Sequence, residues 1–208
     1  MSPKASTQYK AETRDRIISS AVINFSLNGF DKARMEDIAI DADVSKGTLY
    51  LYFKSKEDLF YAICQNNVKK LKGQLDALFS QSKGNLLCNA ERFYDGFQDM
   101  VKDDEQRIAF EIISECSRNH QLRKVMYEQR IKIFGIVSEY INLQIEKGFF
   151  KKDVDVNAIA CGLVSLYDGL SLSKIIGISN DFNKRAWTET IKAIFASLGS
   201  SSSSSSSI

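Results

Sequence analysis

A single proline, at position 3, stands in this chain of 208 residues. Proline removes a backbone donor and clashes with the preceding helical turn, so residues 4–208 contain no residue of that kind to interrupt a helix. Apolar residues recur three to four positions apart along most of this stretch, which is the spacing of one helical face. The sequence therefore predicts an all-α fold of about nine helices with no strand.

Residues that start and stop helices mark the predicted boundaries. Gly29 is expected to take the left-handed position after a first helix over residues 11–28, with Phe30 folding back on Phe25. Gly148 is expected to end a helix over residues 122–147 in the same way. The N-caps predicted for later helices are Ser45, Ser55 (with Asp58 in a short-armed capping box), Asp155 and Asp181.

Residues 35–52 carry the pattern of two short helices that cross steeply. The small Ala39 falls where the two backbones would approach, Asp43 falls at the turn, and apolar residues lie on either side of it. These are the requirements of a helix-turn-helix unit, in which the second helix reads the major groove of DNA.

The outward residues of the second short helix are hydroxyls, an aromatic hydroxyl and cations. Between Val44 and Lys56 there are three lysines and no acid, whereas the whole chain has a formal net charge of only +2. Cations and helix N-termini bind phosphates, a glycine allows close approach, and hydroxyl groups can meet base edges. We therefore predict a local DNA-contacting set: Ser45, Lys46, Gly47, Thr48, Tyr50, Lys54 and Lys56.

The stretch 30–60, which contains IAIDADVSKGTLYLYFKSKEDLF, resembles the DNA-binding segment of the TetR family of transcriptional regulators. The family's hallmark is the string IA-turn-VS-x-G-x-x-Y-x-YF-x-x-KE-x-L. The matching residues are Ile38, Ala39, Val44, Ser45, Gly47, Tyr50, Tyr52, Phe53, Lys56, Glu57 and Leu59. The resemblance is specific from the first helix to the start of the fourth, and it adds Tyr52 to the DNA-contacting set.

Two departures from the family pattern bear on DNA binding. Ala33 and Arg34 stand where the family usually has a Thr-Thr or Ser-Thr pair, and we expect the Arg34 guanidinium to take over the phosphate contact of that pair. Asp43 stands at the family's turn glycine. Aspartate tolerates the left-handed conformation, so we expect the turn to survive.

The resemblance implies a division into functional segments. An N-terminal three-helix helix-turn-helix DNA-binding domain spans 1–55, a connecting helix spans 56–84, and a helical ligand-binding and dimerisation domain spans 85–199. Residues 200–208 form a serine-rich tail that we predict to be disordered, because it cannot bury enough apolar surface to offset the entropy of ordering it.

Apolar residues of the C-terminal half fall into two candidate groups. Large or flexible apolar side chains on central helices are suited to lining an effector pocket: Phe93, Phe97, Met100, Phe110, Ile113, Phe134, Tyr167 and Leu170. Apolar stripes on the last two helices are candidates for a four-helix dimer interface: Leu163, Leu166, Trp187, Ile191, Ile194 and Phe195.

The resemblance thus implies a cytoplasmic homodimeric repressor that binds a palindromic double-stranded DNA operator and dissociates when a small-molecule effector binds. An alternative keeps the DNA-binding head but makes the C-terminal half a ligand-independent dimerisation or protein-interaction module. An enzyme is disfavoured, since the sequence shows no catalytic set, no phosphate loop and one histidine. We expect no cofactor, no metal site from the four widely spaced cysteines, and no membrane partner, since the longest weakly polar run is stopped by Asp168.

Overall fold

A computed structural model describes residues 3–81, 90–100 and 103–199, with side chains described for 7–79, 90–99 and 105–199. These ranges form nine α-helices and no strand, which confirms the all-α prediction. The helices are α1 (Pro3–Asn28), α2 (Met35–Asp41), α3 (Lys46–Tyr52), α4 (Lys56–Gln81), α5 (Ala90–Met100), α6 (Asp103–Glu115), α7 (His120–Glu146), α8 (Val156–Ile175) and α9 (Asn180–Leu198). The predicted break near residue 84, the side chain of Met100 and the serine tail lie outside the described residues.

The end of α1 is formed as predicted. Gly29 has a φ of +75°, and its N–H donates to the carbonyl oxygen of Phe25 at 2.9 Å. The rings of Phe25 and Phe30 pack with centroids 5.1 Å apart. The start of α1 lies at Pro3 rather than at residue 11, because proline fits the first turn of a helix and nothing after it breaks the pattern.

Three of the four predicted N-caps are confirmed, and one is wrong. The side-chain oxygens of Ser45, Ser55 and Asp155 accept hydrogen bonds from the N–H groups of Thr48, Asp58 and Ala158. The α9 cap is Ser179 rather than Asp181: its Oγ accepts from the N–H of Phe182 at 3.3 Å. Ser179 has the extended backbone of a cap, and Asp181 lies within the first helical turn. Gly148 takes the predicted left-handed conformation, with φ +78°.

The described helices group into two compact units. The N-terminal unit holds residues 3–67 and 103–129, and the C-terminal unit holds 68–100 and 130–199. Packing therefore divides the chain differently from a boundary at residue 85: Ile108 and Ile112 of α6 are buried in one core with Ile17 of α1. The predicted functional limits at residues 55, 84 and 199 stay a prediction.

The core of the N-terminal unit fixes the position of α2 and α3. Ile38 and Leu49 are fully buried against Ile17, Phe25 and Leu59, and burial of each such side chain contributes about 1.5–3 kcal/mol. Asn24 Nδ2 of α1 also donates to Asp41 Oδ2 at the end of α2. The two short helices are therefore held on the longer α1 and α4, which leaves their other faces exposed.

The core of the C-terminal unit corrects part of the predicted dimer interface. Trp187, Ile191 and Phe195 are buried inside this unit, and Trp187 Nε1 donates to the carbonyl oxygen of Ala90 at 2.8 Å. They cannot form an intersubunit surface, because α9 turns this stripe onto α5 of its own chain. The remaining predicted interface residues, Leu163, Leu166 and Ile194, are half-buried against the same core.

Helix α8 corrects the expectation about membrane-length segments. It continues past Asp168 to Ile175, and its mean hydropathy of 1.3 makes it long and apolar enough to cross a bilayer by length and composition. One helix of this kind is weak evidence for a membrane protein. Only 17% of its apolar window is buried in the chain, so α8 presents an exposed apolar face.

Candidate nucleic-acid interface

The turn between α2 and α3 closes around a residue in the left-handed conformation. Asp43 has a φ of +52°, as predicted for this position. Its N–H donates to the carbonyl oxygen of Ile40, and the N–H of Val44 donates to that of Ala39, both at 3.0 Å. The helix-turn-helix unit therefore forms with aspartate in place of the family's glycine.

Helix α3 separates an inward from an outward face. Leu49 is fully buried, while Ser45, Lys46 and Gly47 are exposed and Thr48 is half-buried. Ser45 Oγ accepts from the N–H of Thr48 at 3.0 Å and lies 2.9 Å from Thr48 Oγ1. The first turn of α3 thus presents two fixed hydroxyl groups to solvent, which suits contacts to phosphates or base edges.

The cation at the start of α3 is paired within the chain. Lys46 Nζ donates to Glu36 Oε1 of α2 at 2.6 Å, and the Arg34 Nε lies 3.9 Å from Glu36 Oε2. The hydrogen bond from Lys46 lowers the pKa of Glu36, and the same bond raises the pKa of Lys46. The local positive charge of residues 44–56 is therefore partly neutralised by an acid from the preceding helix.

Lys56 is not placed with the outward residues of α3. Its Nζ donates to the carbonyl oxygens of Phe30 and Asp31, at 2.8 and 2.6 Å, and lies 5.1 Å from the Phe30 ring centroid. This ammonium holds the start of α4 to the loop after α1. The geometry supports a structural role for Lys56 rather than the predicted phosphate contact.

The remaining predicted contacts lie near the end of α3 and at the start of α2. Lys54 is exposed and donates through Nζ to the carbonyl oxygen of Tyr50 at 2.8 Å, a favourable place for a cation at a helix C-terminus. Tyr50 and Tyr52 are half-buried against the core. The Arg34 side chain is exposed at the α2 N-cap and makes no capping hydrogen bond there.

Gly47 is not required by the packing of the N-terminal unit. A Cβ built on Gly47 would meet a single atom within 4 Å, Ser45 Oγ at 3.8 Å. The residue lies in the exposed first turn of α3, where alanine would favour the helix more than glycine does. A bound partner whose backbone approaches α3 closely would account for a glycine here.

Leu51 is an outward residue that the sequence reasoning missed. Its side chain is 78% exposed on α3, four positions after Gly47 and three after Thr48. An exposed leucine among hydroxyls suits contact with a thymine methyl group. Leu49 and Phe53 are the inward pair of this helix, so the signal for an outward Leu51 was present in the spacing.

These elements coincide with a recognised sequence family. Residues 17–63, which contain most of α1, all of α2 and α3 and the start of α4, match the family model described as bacterial regulatory proteins, tetR family. The chain belongs to the TetR family. This TetR-family protein is 25% identical to the HTH-type transcriptional regulator YfiR of Bacillus subtilis (strain 168) over 173 residues, which cover 82% of this chain and 83% of YfiR.

Solved structures share the fold. A TetR-family regulator from Mesorhizobium loti has a TM-score of 0.76 at 19% identity, with coverage of 91% of this chain and 98% of that one. The FadR regulator of Bacillus subtilis, solved in complex with stearoyl-CoA, has a TM-score of 0.69 at 19% identity, with coverage of 88% and 97%. The TetR-family chain is thus a helix-turn-helix transcriptional regulator and not an enzyme.

The predicted pocket residues of this TetR-family regulator fall into two places. Phe97 lies in the C-terminal unit with its ring centroid 6.4 Å from that of Phe93 and 5.4 Å from that of Tyr167. Leu170 packs on the same core, and Phe134 is half-buried on α7. Two others lie on α6 in the N-terminal unit, away from this group: Phe110, which is half-buried, and Ile113, which is 46% exposed.

Proposed function

We propose that this TetR-family regulator is a homodimeric repressor that binds a palindromic double-stranded DNA operator through α3 and dissociates when a small-molecule effector binds. The observation that carries the proposal is the outward face of α3, where Gly47, Thr48 and Leu51 lie beside exposed cations while Leu49 anchors the helix. Direct reading of bases by one helix needs this division of faces.

The exposed face of α8 supports a two-fold dimer. Small residues follow one another along it at intervals of three or four positions, and they are all exposed: Ala158, Gly162, Ser165 and Gly169. Within the chain, a Cβ added at Gly162 or Gly169 would meet nothing within 4 Å. Apolar Leu172 and Ile176 extend the stripe. Such a face suits close packing against its own copy, and a dimer presents two α3 helices to a palindrome.

An effector is supported by the fold and opposed by one local feature. The fold neighbour FadR was crystallised with stearoyl-CoA. In this chain, however, the rings of Phe97, Tyr167 and Trp187 pack on one another with centroids 5.4 to 6.2 Å apart. A core filled in this way favours the alternative, in which the C-terminal half is a ligand-independent dimerisation or protein-interaction module. Either function belongs to a regulator that works in the cytoplasm.

The operator claim is tested by selection from random duplexes followed by fluorescence anisotropy. We expect a palindromic consensus bound by two protomers, as counted by light scattering of the complex. A consensus without two-fold symmetry, or binding by one protomer, would contradict the proposal.

The dimer surface has a matched pair of variants. Gly162→Trp on α8 is expected to give a monomer by size-exclusion chromatography with light scattering and to abolish tight operator binding. Gly135→Trp on α7 also adds a ring at an exposed glycine whose Cβ would meet nothing within 4 Å. It is expected to leave the dimer intact. Dimerisation of Gly162→Trp would sink the assignment of α8.

A further inference from the structure

We propose that the effector is an organic acid with an apolar body, and that its carboxylate is received in the C-terminal unit by Gln98 and Ser171 beside Lys174. This inference rests on the proposed effector-responsive function and specifies the chemistry of its ligand.

Ser171 carries a buried hydroxyl that the fold does not use. The residue is 3% exposed on α8, and its Oγ has no hydrogen-bond partner among the described residues. A helical serine ordinarily can donate to the carbonyl oxygen four positions earlier, and Ser173 does so to Gly169 at 2.9 Å. The Ser171 hydroxyl is therefore available to a bound group, and leaving it buried and unpaired disfavours the free protein.

Gln98 on α5 carries a second unused donor. Its Oε1 accepts a hydrogen bond from Lys174 Nζ at 3.1 Å, while its buried Nε2 has no partner within the described ranges. The amide orientation is determined, because a flipped amide would turn N–H donors toward the Lys174 ammonium. Two N–H bonds of Gln98 thus point to a place where an acceptor is missing.

The two donors lie along one line of contact between α5 and α8. Tyr167, Ser171 and Lys174 are spaced by four and three positions, so they share one face of α8. Tyr167 OH donates to the carbonyl oxygen of Phe97 at 3.0 Å, and Lys174 reaches Gln98, the next residue of α5. Ser171 lies between these contacts and therefore faces the last turn of α5.

Donors beside an ammonium select an anion. A carboxylate is an acceptor-only group that can receive the Gln98 amide, the Ser171 hydroxyl and the charge of Lys174 together. The one acid on α8, Asp168, is already paired with Arg130 at 2.6 Å. A cationic ligand would find at this place only donors and a like charge.

The surroundings favour an apolar body on that acid. Phe97 and Tyr167 flank the donors, and Trp187 packs edge-to-face on both rings. Aromatic side chains with a few convergent polar groups are the usual lining of a small-molecule site.

The test uses the full chain without DNA and three matched pairs of probes: octanoate with octylamine, decanoate with decylamine, and 4-phenylbutyrate with 4-phenylbutylamine. Thermal shift and calorimetry are expected to show binding of at least one acid and weaker or no binding of its amine. Lys174→Met and Gln98→Leu are each expected to raise the Kd of that acid by about tenfold, the scale of a lost charge-assisted hydrogen bond. Lys192→Met, at an exposed lysine of α9, is the control and should change nothing.

Ser171→Ala separates a ligand-binding role from a structural one. It removes an unpaired buried hydroxyl, so the ligand-free protein is expected to melt at the same or a higher temperature while the acid binds several-fold more weakly. Binding of no acid, equal binding of acid and amine, or a lower melting temperature of ligand-free Ser171→Ala would each overturn the proposal.

Operator release is measured separately, by anisotropy with each probe. Release by an amine but by no acid would overturn this inference and leave the proposed function standing. Binding of an acid that responds to the three variants, without release of the operator, would uphold the site and overturn effector-controlled repression.

Discussion

Glu111 Oε1 of α6 accepts a hydrogen bond from the backbone N–H of Phe30 at 2.8 Å, across 81 residues of sequence. The same oxygen lies 2.6 Å from the position that a Cβ on Gly29 would occupy. The end of α1 is therefore shaped by α6 as well as by its own glycine. Lys56 binds the carbonyl oxygens of the same loop, so a carboxylate and an ammonium fix this turn from two different helices.

Gly29→Ala is expected to destabilise the protein more than Gly148→Ala does. Both glycines have nearly the same positive φ, which costs an alanine about 1–2 kcal/mol. A Cβ at Gly148 meets nothing within 4 Å, whereas one at Gly29 collides with Glu111. Urea unfolding of the two variants measures the difference. Equal losses of stability would show that Glu111 moves aside without cost.

The Glu111 contact itself is isolated by a double-mutant cycle. Glu111→Ala leaves the Phe30 N–H without its acceptor and is expected to cost about 1–3 kcal/mol where that group stays shielded from water. In this background Gly29→Ala should cost less than it does alone, because the clash is gone. Glu139→Ala, which removes an exposed ion pair with Lys72, is the control and should change stability little. Strict additivity would contradict the contact.

Gly47→Ala is expected to separate folding from DNA binding. The added methyl group has room and favours the helix, so the free energy of unfolding should stay the same or rise by up to about 1 kcal/mol. Operator affinity should fall by about tenfold, because the methyl group holds α3 away from the DNA. Urea unfolding and anisotropy measure the two quantities. Unchanged affinity would show that no partner approaches this glycine.

Leu51→Ala is expected to change which sequences are bound while leaving stability nearly unchanged. Leu27 on α1 has the same 78% exposure and is the matched control. Leu51→Ala should lower the preference for thymine at one position of each half-site, by an amount near the lower end of the 1–3 kcal/mol typical of base readout. Selection from random duplexes compares the two variants with the parent. An identical consensus for all three proteins would remove Leu51 from the interface.

Glu36→Gln is expected to strengthen DNA binding several-fold by freeing the Lys46 ammonium for a phosphate. Asp37→Asn makes the same charge change on an exposed neighbouring residue and is the control. Only Glu36→Gln should also steepen the dependence of log K on log salt, by about one unit for one added phosphate contact. The measurement is anisotropy over a series of salt concentrations. Weaker binding of Glu36→Gln would mean that Glu36 holds Lys46 in its DNA-binding position.

Local features were predictable from the sequence because they depend on neighbours along the chain. The left-handed Gly29 and Asp43, the caps at Ser45 and Ser55, and the buried Leu49 follow from spacing and residue type within one or two turns. The family string added specificity to the same stretch, since it lies almost wholly within residues 17–63.

The errors come from contacts that join distant segments. Lys56 looked like a free cation because its acceptors lie 25 and 26 residues earlier, and Lys46 because Glu36 lies in another helix. The apolar stripe of Trp187 is what either a core or a dimer interface requires, and only the packing of α9 on α5 decides between them. Leu51 was missed because the second short helix was searched for polar residues alone.

The Lys46–Glu36 pair also bears on how fast the operator is found. Regulators of this kind spend most of their time on random DNA, held there by phosphate contacts alone. An ammonium already satisfied by a carboxylate gains less from each such encounter, so dwell times on random sequence shorten. Where the base contacts of α3 fit, their binding energy can draw Lys46 away from Glu36. We expect the pair to favour a rapid search and to reserve one cation for the correct site.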